Sequence, residues 1–341
     1  MKYIAPDKIF YHPDRLKAWI NDETVKPVTA EIHLSNRCNN ACTYCGQKQN
    51  HKNENMSLEN IKLLRKFIDS VGVKACYFSG GGESTLNRDI LMVIDELKNI
   101  ELGMITNGIV MPDELIKRYV RDFRWVRISL DSADDETYFN IRGTHSFEIV
   151  KNNISKLLAN KKESKSGLVV GIQIVVNEFN CDIIVEIVRE LSIIFPDIDY
   201  INIRPIESKI NEKIYTGLNL KIIKEEFDFL LNDKKVIISE KWQDIFNNSK
   251  DFGFSTCHAS EFIVTITADG DIYQCCHVIH LDDYRITNLC DYENYFYERQ
   301  LMFNHVTNKG FNPNICPLGC RGSGINKSIE SMIKEKHKNF L

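Results

Sequence analysis

The sequence predicts an α/β fold followed by a smaller α+β unit, and three observations carry that reading. Six short runs rich in β-branched and aromatic residues alternate with stretches of helical period between Val28 and Arg204. Alternation of this kind implies parallel pairing through crossover helices, although it does not by itself separate an open sheet from a barrel. Length is the second observation: 341 residues, 43% apolar and 26% charged, suffice for one large core and a smaller one. The third is that closely spaced cysteines and a hairpin signature appear after residue 255, well beyond the last alternating unit.

Along the chain, residues 1–27 form a polar cap, with a short helix at Pro13–Trp19 started by its proline. A strand at Val28–Leu34 opens the core. Ser57 caps a helix to about Val71, whose Leu58, Ile61, Leu64 and Ile68 make an apolar stripe widened by Phe67. Strands follow at Lys74–Phe78, Leu102–Thr106, Trp125–Ser129, Gly167–Val176 and Tyr200–Arg204. Helices are expected near Arg88–Lys98, after Pro112, within Ser146–Asn160 and from about Cys181 to Ile193. The domain of residues 28–205 is joined by a polar helical linker, 206–255, to a compact module at 256–328. Residues 329–341 read as a Lys-rich solvated helical tail.

The formal net charge of −4 offers no electrostatic track for nucleic acid and no attraction to an anionic membrane surface. Met1–Phe10 lacks a basic segment followed by an apolar run, and no stretch approaches about 18 consecutive apolar residues. Eleven cysteines in such a chain fit metal binding in a reducing cytoplasm better than disulfides.

Three of those cysteines, Cys38, Cys42 and Cys45, stand at C-x3-C-x2-C in an Asn-rich loop directly after the first strand. A structural zinc site wants four soft ligands, and no local Cys or His completes this one. A [4Fe-4S] cluster has four irons and can leave one without a protein thiolate. The motif resembles that of radical S-adenosylmethionine (SAM) enzymes. The resemblance implies a partial (β/α)6 TIM-like barrel, a cluster held by the three cysteines, and SAM on the fourth iron. It also implies a flavodoxin- or ferredoxin-type electron donor, reductive cleavage of SAM, and hydrogen abstraction by a 5′-deoxyadenosyl radical.

Further motifs fall in the family's order. Gly80, Gly81, Gly82 and Glu83 resemble the turn whose backbone holds the amino end of SAM; Ser84 stands where proline is common. Thr106 and Asn107 resemble the Thr-Asn-Gly of the barrel mouth. Ser129 and Asp131 share one strand face, from which a hydroxyl and a carboxylate reach ribose or the methionine ammonium. Tyr44 resembles the aromatic that packs on adenine, whereas Arg142 is expected to serve substrate or structure rather than the cluster.

In the C-terminal module, Cys257 and Cys275 bracket Gly270 as C-x12-G-x4-C, which resembles the opening of a SPASM or Twitch domain. Phe262–Thr267 and Asp271–Gln274 read as strands joined by an Asp-Gly turn, which returns Cys275 toward Cys257. With Cys316 and Cys320 they make four thiolates, expected to hold one auxiliary [4Fe-4S] cluster, with structural zinc as the alternative. Cys276 is expected to point away from that cluster and to act as a hydrogen donor or to pack. Cys290 is an alternative ligand or a buried thiol, Cys76 and Cys181 are structural, and Arg204 and Glu207 are candidate substrate contacts.

The expected substrate is a small polar metabolite such as a sugar, aminocyclitol or nucleoside. The alternatives are modification of a ribosomally made peptide and a non-enzymatic iron–sulfur or zinc protein. The C-terminal glycine pair of the cofactor-biosynthetic cyclase is missing, which weighs against that member of the family.

Overall fold

Apolar side chains on one face of each strand and polar ones on the other shape the main sheet. The computed structural model describes residues 6–48, 51–207, 218–230, 232–246, 251–279, 281–317 and 320–334. Its repeat contains β1 (Thr29–His33), β2 (Ala75–Ser79), β3 (Glu101–Thr106), β4 (Phe123–Ser129), β5 (Val169–Val176) and β6 (Tyr200–Pro205). All adjacent pairs are parallel and sequential, giving the partial barrel that the family resemblance implied. Ile32, Ile128, Ile172, Ile174, Ile201 and Ile203 on the outward face are all 0% exposed beneath the helices. Each such side chain contributes roughly 2–3 kcal/mol of burial.

Two additions extend this sheet. A short parallel strand, β7 (Val236–Ile238), pairs with β6 within the segment expected to be only a helical linker. At the other edge β8 (Ile263–Ile266) pairs parallel with β1, followed by β9 (Asp271–Tyr273) and β10 (Arg285–Asn288) in antiparallel order. The ten strands form one sheet, β10-β9-β8-β1-β2-β3-β4-β5-β6-β7. The cysteine-rich module therefore continues the barrel sheet through backbone hydrogen bonds.

The helices are α1 (Pro13–Ile20), α2 (Leu58–Val71), α3 (Ile90–Glu96), α4 (Asp113–Asp122), α5 (Asp135–Arg142) and α6 (Phe147–Glu163). They continue as α7 (Ile184–Ile194), α8 (Leu220–Leu230), α9 (Lys241–Phe246), α10 (Tyr295–His305) and α11 (Ser323–Lys334). Ser57 Oγ accepts from Asn60 N at the start of α2, as expected of that cap, and Gly72 at φ 70° ends the helix. Leu58 departs from the predicted stripe, at 50% exposed. Helix α5 was not anticipated; its Asp134 cap and Gly143 stop are legible only once its short length is known.

The tail expectation is corrected over its described part. Ile329 of α11 is 0% exposed and packs with Ile9, Leu16, Val25 and Phe262 in a second core. This end of the chain is a docked helix, and residues 335–341 lie outside those described. Among the described residues, no helix is long and apolar enough to cross a membrane.

The inward strand face is polar and aromatic. In register it presents Glu31, His33, Tyr77, Ser79, Trp125, Arg127, Gln173, Tyr200 and Arg204. Glycine faces the two largest rings. A Cβ on Gly103 would lie 2.2 Å from Trp125, and one on Gly171 would lie 2.1 Å from the Tyr200 ring. Both absences of a side chain let aromatic rings cross the lumen.

Candidate functional site

The loop after β1 is fastened on two sides before any cofactor is considered. Ala41 N and Thr43 N donate to the carbonyls of Arg142 and Ile141, while Gly82 N and Glu83 N donate to those of Ser35 and Arg37. A Cβ on Gly82 would sit 2.0 Å from the Arg37 carbonyl oxygen, so only glycine permits this approach.

Glu83 joins the predicted motifs. One carboxylate oxygen accepts from Thr106 Oγ1 at 2.8 Å and from Thr85, and the other accepts from Asn107 N at 2.7 Å. Asn107 Nδ2 in turn donates to Asn39 Oδ1 at 2.7 Å, inside the cysteine loop. Burial pushes the Glu83 carboxyl upward against these hydrogen bonds. Gly80, Gly81, Gly82, Thr106 and Asn107 thus surround the C-terminal ends of β1–β3, next to the thiols.

Opposite them, Asp131 is fully engaged and 1% exposed. Its Oδ2 accepts from Tyr44 OH at 2.5 Å and forms an ion pair with Arg142 at 2.5 Å; its Oδ1 accepts from Val175 N. This differs from the expectation of a carboxylate free for ribose or ammonium, because the loop's own Tyr44 consumes it. Arg142 is also corrected: its Nη1 donates to Cys42 Sγ at 3.4 Å, placing it on the cysteine triad. Its guanidinium stands over the Tyr44 ring at 5.6 Å. Ser129 Oγ has no hydrogen-bond partner among the described residues and remains available.

Burial pushes the Cys38 thiol up to about 11, with Glu83, Cys42 and Cys45 adding to the rise. His51 Nε2 lies 3.8 Å from Cys45 Sγ, so a histidine does approach the triad, contrary to the sequence expectation. A single tetrahedral ion draws its ligand atoms to within about 4 Å of one another. Among the described residues, the ligand atoms of only Cys275, Cys276 and His277 all lie within 4.8 Å of one another. Cys38, Cys42 and Cys45 do not form such a group.

In the second module, burial pushes Cys257 up to about 11 and Cys316 to about 12, and Cys320 is raised as well. Cys275 adds to the rise of all three, and Cys257 to that of Cys316 and Cys320, so the four thiols share one region. Cys290 is exposed, against the expectation of a ligand or buried thiol, and Cys76 is buried. Cys276 does not point away from Cys275. The turn after β9 brings both sulfurs and His277 together, and the Cys276 thiol lowers the pKa of its Cys275 neighbour.

Cys276 also touches the first site, since Gln47 Nε2 donates to its carbonyl at 3.3 Å. Glu207 lies beside this contact. It pairs with Arg204 at 2.8 Å, Lys241 at 2.5 Å and His277 at 3.4 Å. Burial alone would raise Glu207, but the charges of Arg204 and Lys241 above all hold it well below the usual carboxylate range. Arg204 and Glu207 are thus brought together, as partners of each other. Glu31 is likewise held by Arg321, His33, Ser79 and Tyr77.

Sequence reasoning missed Glu31, Arg127, Gln173, Lys241, His277 and Arg321. For those on strands the signal was present: charged or amide residues at every second position of otherwise aliphatic strands. Arg321 and Lys241 carried no such signal.

Residues 32–191 match the Radical SAM superfamily. The chain carries a radical SAM domain. Its curated relatives include the GTP 3′,8-cyclase of Clostridium perfringens strain 13, 26% identical over 262 residues, spanning 72% of this chain and 79% of the relative. The probable GTP 3′,8-cyclase of Methanocaldococcus jannaschii is 29% identical over 224 residues, 61% and 72% of the two chains. Among solved structures, Streptococcus suis SuiB bound to precursor peptide SuiA matches with a TM-score of 0.65 and 16% identity. That match covers 96% of this chain and 77% of SuiB. Native anSMEcpe with bound AdoMet matches with a TM-score of 0.62 and 20% identity, covering 90% and 95%. The SuiB likeness covers nearly the whole chain and so takes in the C-terminal module in fold. The protein is a radical SAM enzyme with an iron–sulfur and SAM site of that type, and Cys275, Cys276 and His277 form a second group that could hold a metal ion.

Proposed function

We propose that this radical SAM enzyme abstracts hydrogen from a peptide substrate seated at the barrel mouth. Cys38, Cys42 and Cys45 hold the SAM-binding [4Fe-4S] cluster, and the wiring of Glu83 to Thr106, Asn107 and the cysteine loop carries this reading. Gly80–Gly82 offer backbone groups to the amino end of SAM, Ser129 offers a free hydroxyl, and the Tyr44 ring, pinned by Asp131 and Arg142, offers a surface for adenine. When bound, the cluster and SAM supply a 5′-deoxyadenosyl radical. The chain's own part is to hold the loop rigid, orient the ligand and exclude water.

Cys257, Cys275, Cys316 and Cys320 hold one auxiliary [4Fe-4S] cluster, a reading supported by the mutual influence of these thiols within one region. Cys276, between this module and the lumen, donates a hydrogen atom to the substrate radical: its S–H bond breaks, a C–H bond forms, and a thiyl radical remains. One electron from a flavodoxin- or ferredoxin-type donor and one proton restore the thiol. Arg204 and Glu207 orient the substrate from the end of β6.

The peptide reading is supported by the shared fold with SuiB, whose complex contains a precursor peptide, over nearly the whole chain. A small polar metabolite is the second reading, favoured by the nucleotide-acting curated relatives and by the charged lumen. Reduced, reconstituted protein incubated with SAM, candidate peptides and nucleotides tests both. Formation of 5′-deoxyadenosine that rises with peptides supports the first reading, a rise with nucleotides alone selects the second, and absence of SAM cleavage overturns the activity.

A further inference from the structure

Four cationic side chains reach the lumen from different elements: Arg127 of β4, Arg204 of β6, Lys241 at the start of α9, and Arg321 beside Cys320. Two carboxylates answer them. Arg321 pairs with Glu31, and Arg204 and Lys241 share Glu207. Arg127 has none. Among the described residues no carboxylate oxygen lies within 4.0 Å of it, its Nε has no hydrogen-bond partner, and it is 8% exposed. Its close companion is the Trp125 ring, 5.7 Å from the guanidinium carbon. A cation–π contact recovers only part of what it costs to take a guanidinium out of water. Nearby on β5, Gln173 is 6% exposed with Oε1 unpartnered, in register with Ser129, two residues above Arg127.

Burial depresses the Arg127 guanidinium, and the two carboxylates that act against this, Glu207 and Glu31, are already paired with Arg204, Lys241 and Arg321. A dry guanidinium, with an unpartnered amide oxygen two register positions further along the next strand and both facing the lumen, matches an oxyanion that carries a hydrogen-bond donor next to it.

We propose that Arg127 forms the floor of an oxyanion subsite in the barrel lumen, taking a carboxylate or phosphate carried by the substrate, with Gln173 as its neutral neighbour. The proposal rests on the reading that substrate enters the lumen, and it applies equally to an acidic peptide and to a phosphorylated metabolite.

The test measures thermal unfolding of the anaerobic holoenzyme with SAM, titrated with sodium acetate or inorganic phosphate at constant ionic strength set by chloride. Wild type gains a saturable rise of roughly 2 °C with at least one anion. Arg127→Gln loses that rise, whereas Arg124→Gln, which removes an exposed charge from the same strand, keeps it. A rise with phosphate alone assigns a phosphate group, and one with acetate alone assigns a carboxylate. Arg127→Lys, which folds with its charge intact but lacks the bidentate fork, needs a several-fold higher anion concentration for half-saturation. No saturable rise in wild type, or an undiminished one in Arg127→Gln and an unshifted one in Arg127→Lys, overturns the subsite. SAM cleavage in the same samples reports separately on the radical reading, so the two fail distinguishably.

Discussion

Gln47 donates its side-chain amide to the carbonyl of Cys276 at 3.3 Å, joining the first cysteine loop to the turn of the second module across 229 positions of sequence. Gln47→Ala removes one partly buried hydrogen bond, a loss of about 1 kcal/mol. Hydrogen–deuterium exchange should quicken in residues 275–279 while the strands β3–β5 stay protected. Unchanged exchange in that turn would show that the contact does not hold it.

Replacing Cys38, Cys42 and Cys45 together with Ala should abolish 5′-deoxyadenosine formation. Iron should fall from about eight to about four per chain, the content of one remaining cluster. Wild-type SAM cleavage by the triple variant would sink the assignment.

The ligand set of the second site separates two arrangements. Cys316→Ala with Cys320→Ala should release the auxiliary iron, while His277→Ala should retain it. Loss of metal only on changing His277, or one zinc per chain with four irons, would favour a single ion at Cys275, Cys276 and His277.

Cys276→Ala should leave hydrogen abstraction intact and divert the product. With a substrate in hand, the measurement is solvent deuterium at the reacting carbon, which wild type incorporates through the exchangeable thiol and the variant does not. Equal incorporation and yield would leave Cys276 a packing residue.

Glu31 makes a pH prediction with a defined sign. Burial would raise its carboxyl, but Arg321 and His33 outweigh burial and hold it at about 2. A depressed carboxyl stabilises the fold above its unfolded value, near 4.5, and loses that contribution as pH falls toward 2. The displacement corresponds to roughly 3 kcal/mol as an upper bound. In urea unfolding, Glu31→Gln should be less stable than wild type by up to that amount, with a constant gap between about pH 6 and 8 that narrows below about pH 4.5. A gap that widens on acidification would show that the ion pair is not the source.

The barrel and first site were legible because each depended on local pattern: strand runs, helix caps at Ser57, and three cysteines followed by Gly81-Gly82-Glu83. Asp131 was misread because the strand face on which a side chain lies is a local property, whereas its capture by Tyr44 and Arg142 is a tertiary one. β7 was missed since three residues, Val236–Ile238, carry too little periodicity to stand out from a helical segment. The docking of α11 was hidden for a related reason. A Lys-rich composition describes its exposed side, while Ile329 finds its neighbours in the N-terminal cap.

The β1–β8 pairing has a consequence for how the chain tolerates being cut. Thr29, Ala30, Glu31 and Ile32 are hydrogen-bonded in register with Ile263, Val264, Thr265 and Ile266, so neighbouring strands, rather than the intervening peptide, set the separation of the two cysteine sites. A chain break between Glu207 and Leu218 should then leave that strand pairing in place. Two fragments divided there and expressed together should reassemble through this strand pair, as a split enzyme whose halves each bring one cysteine site.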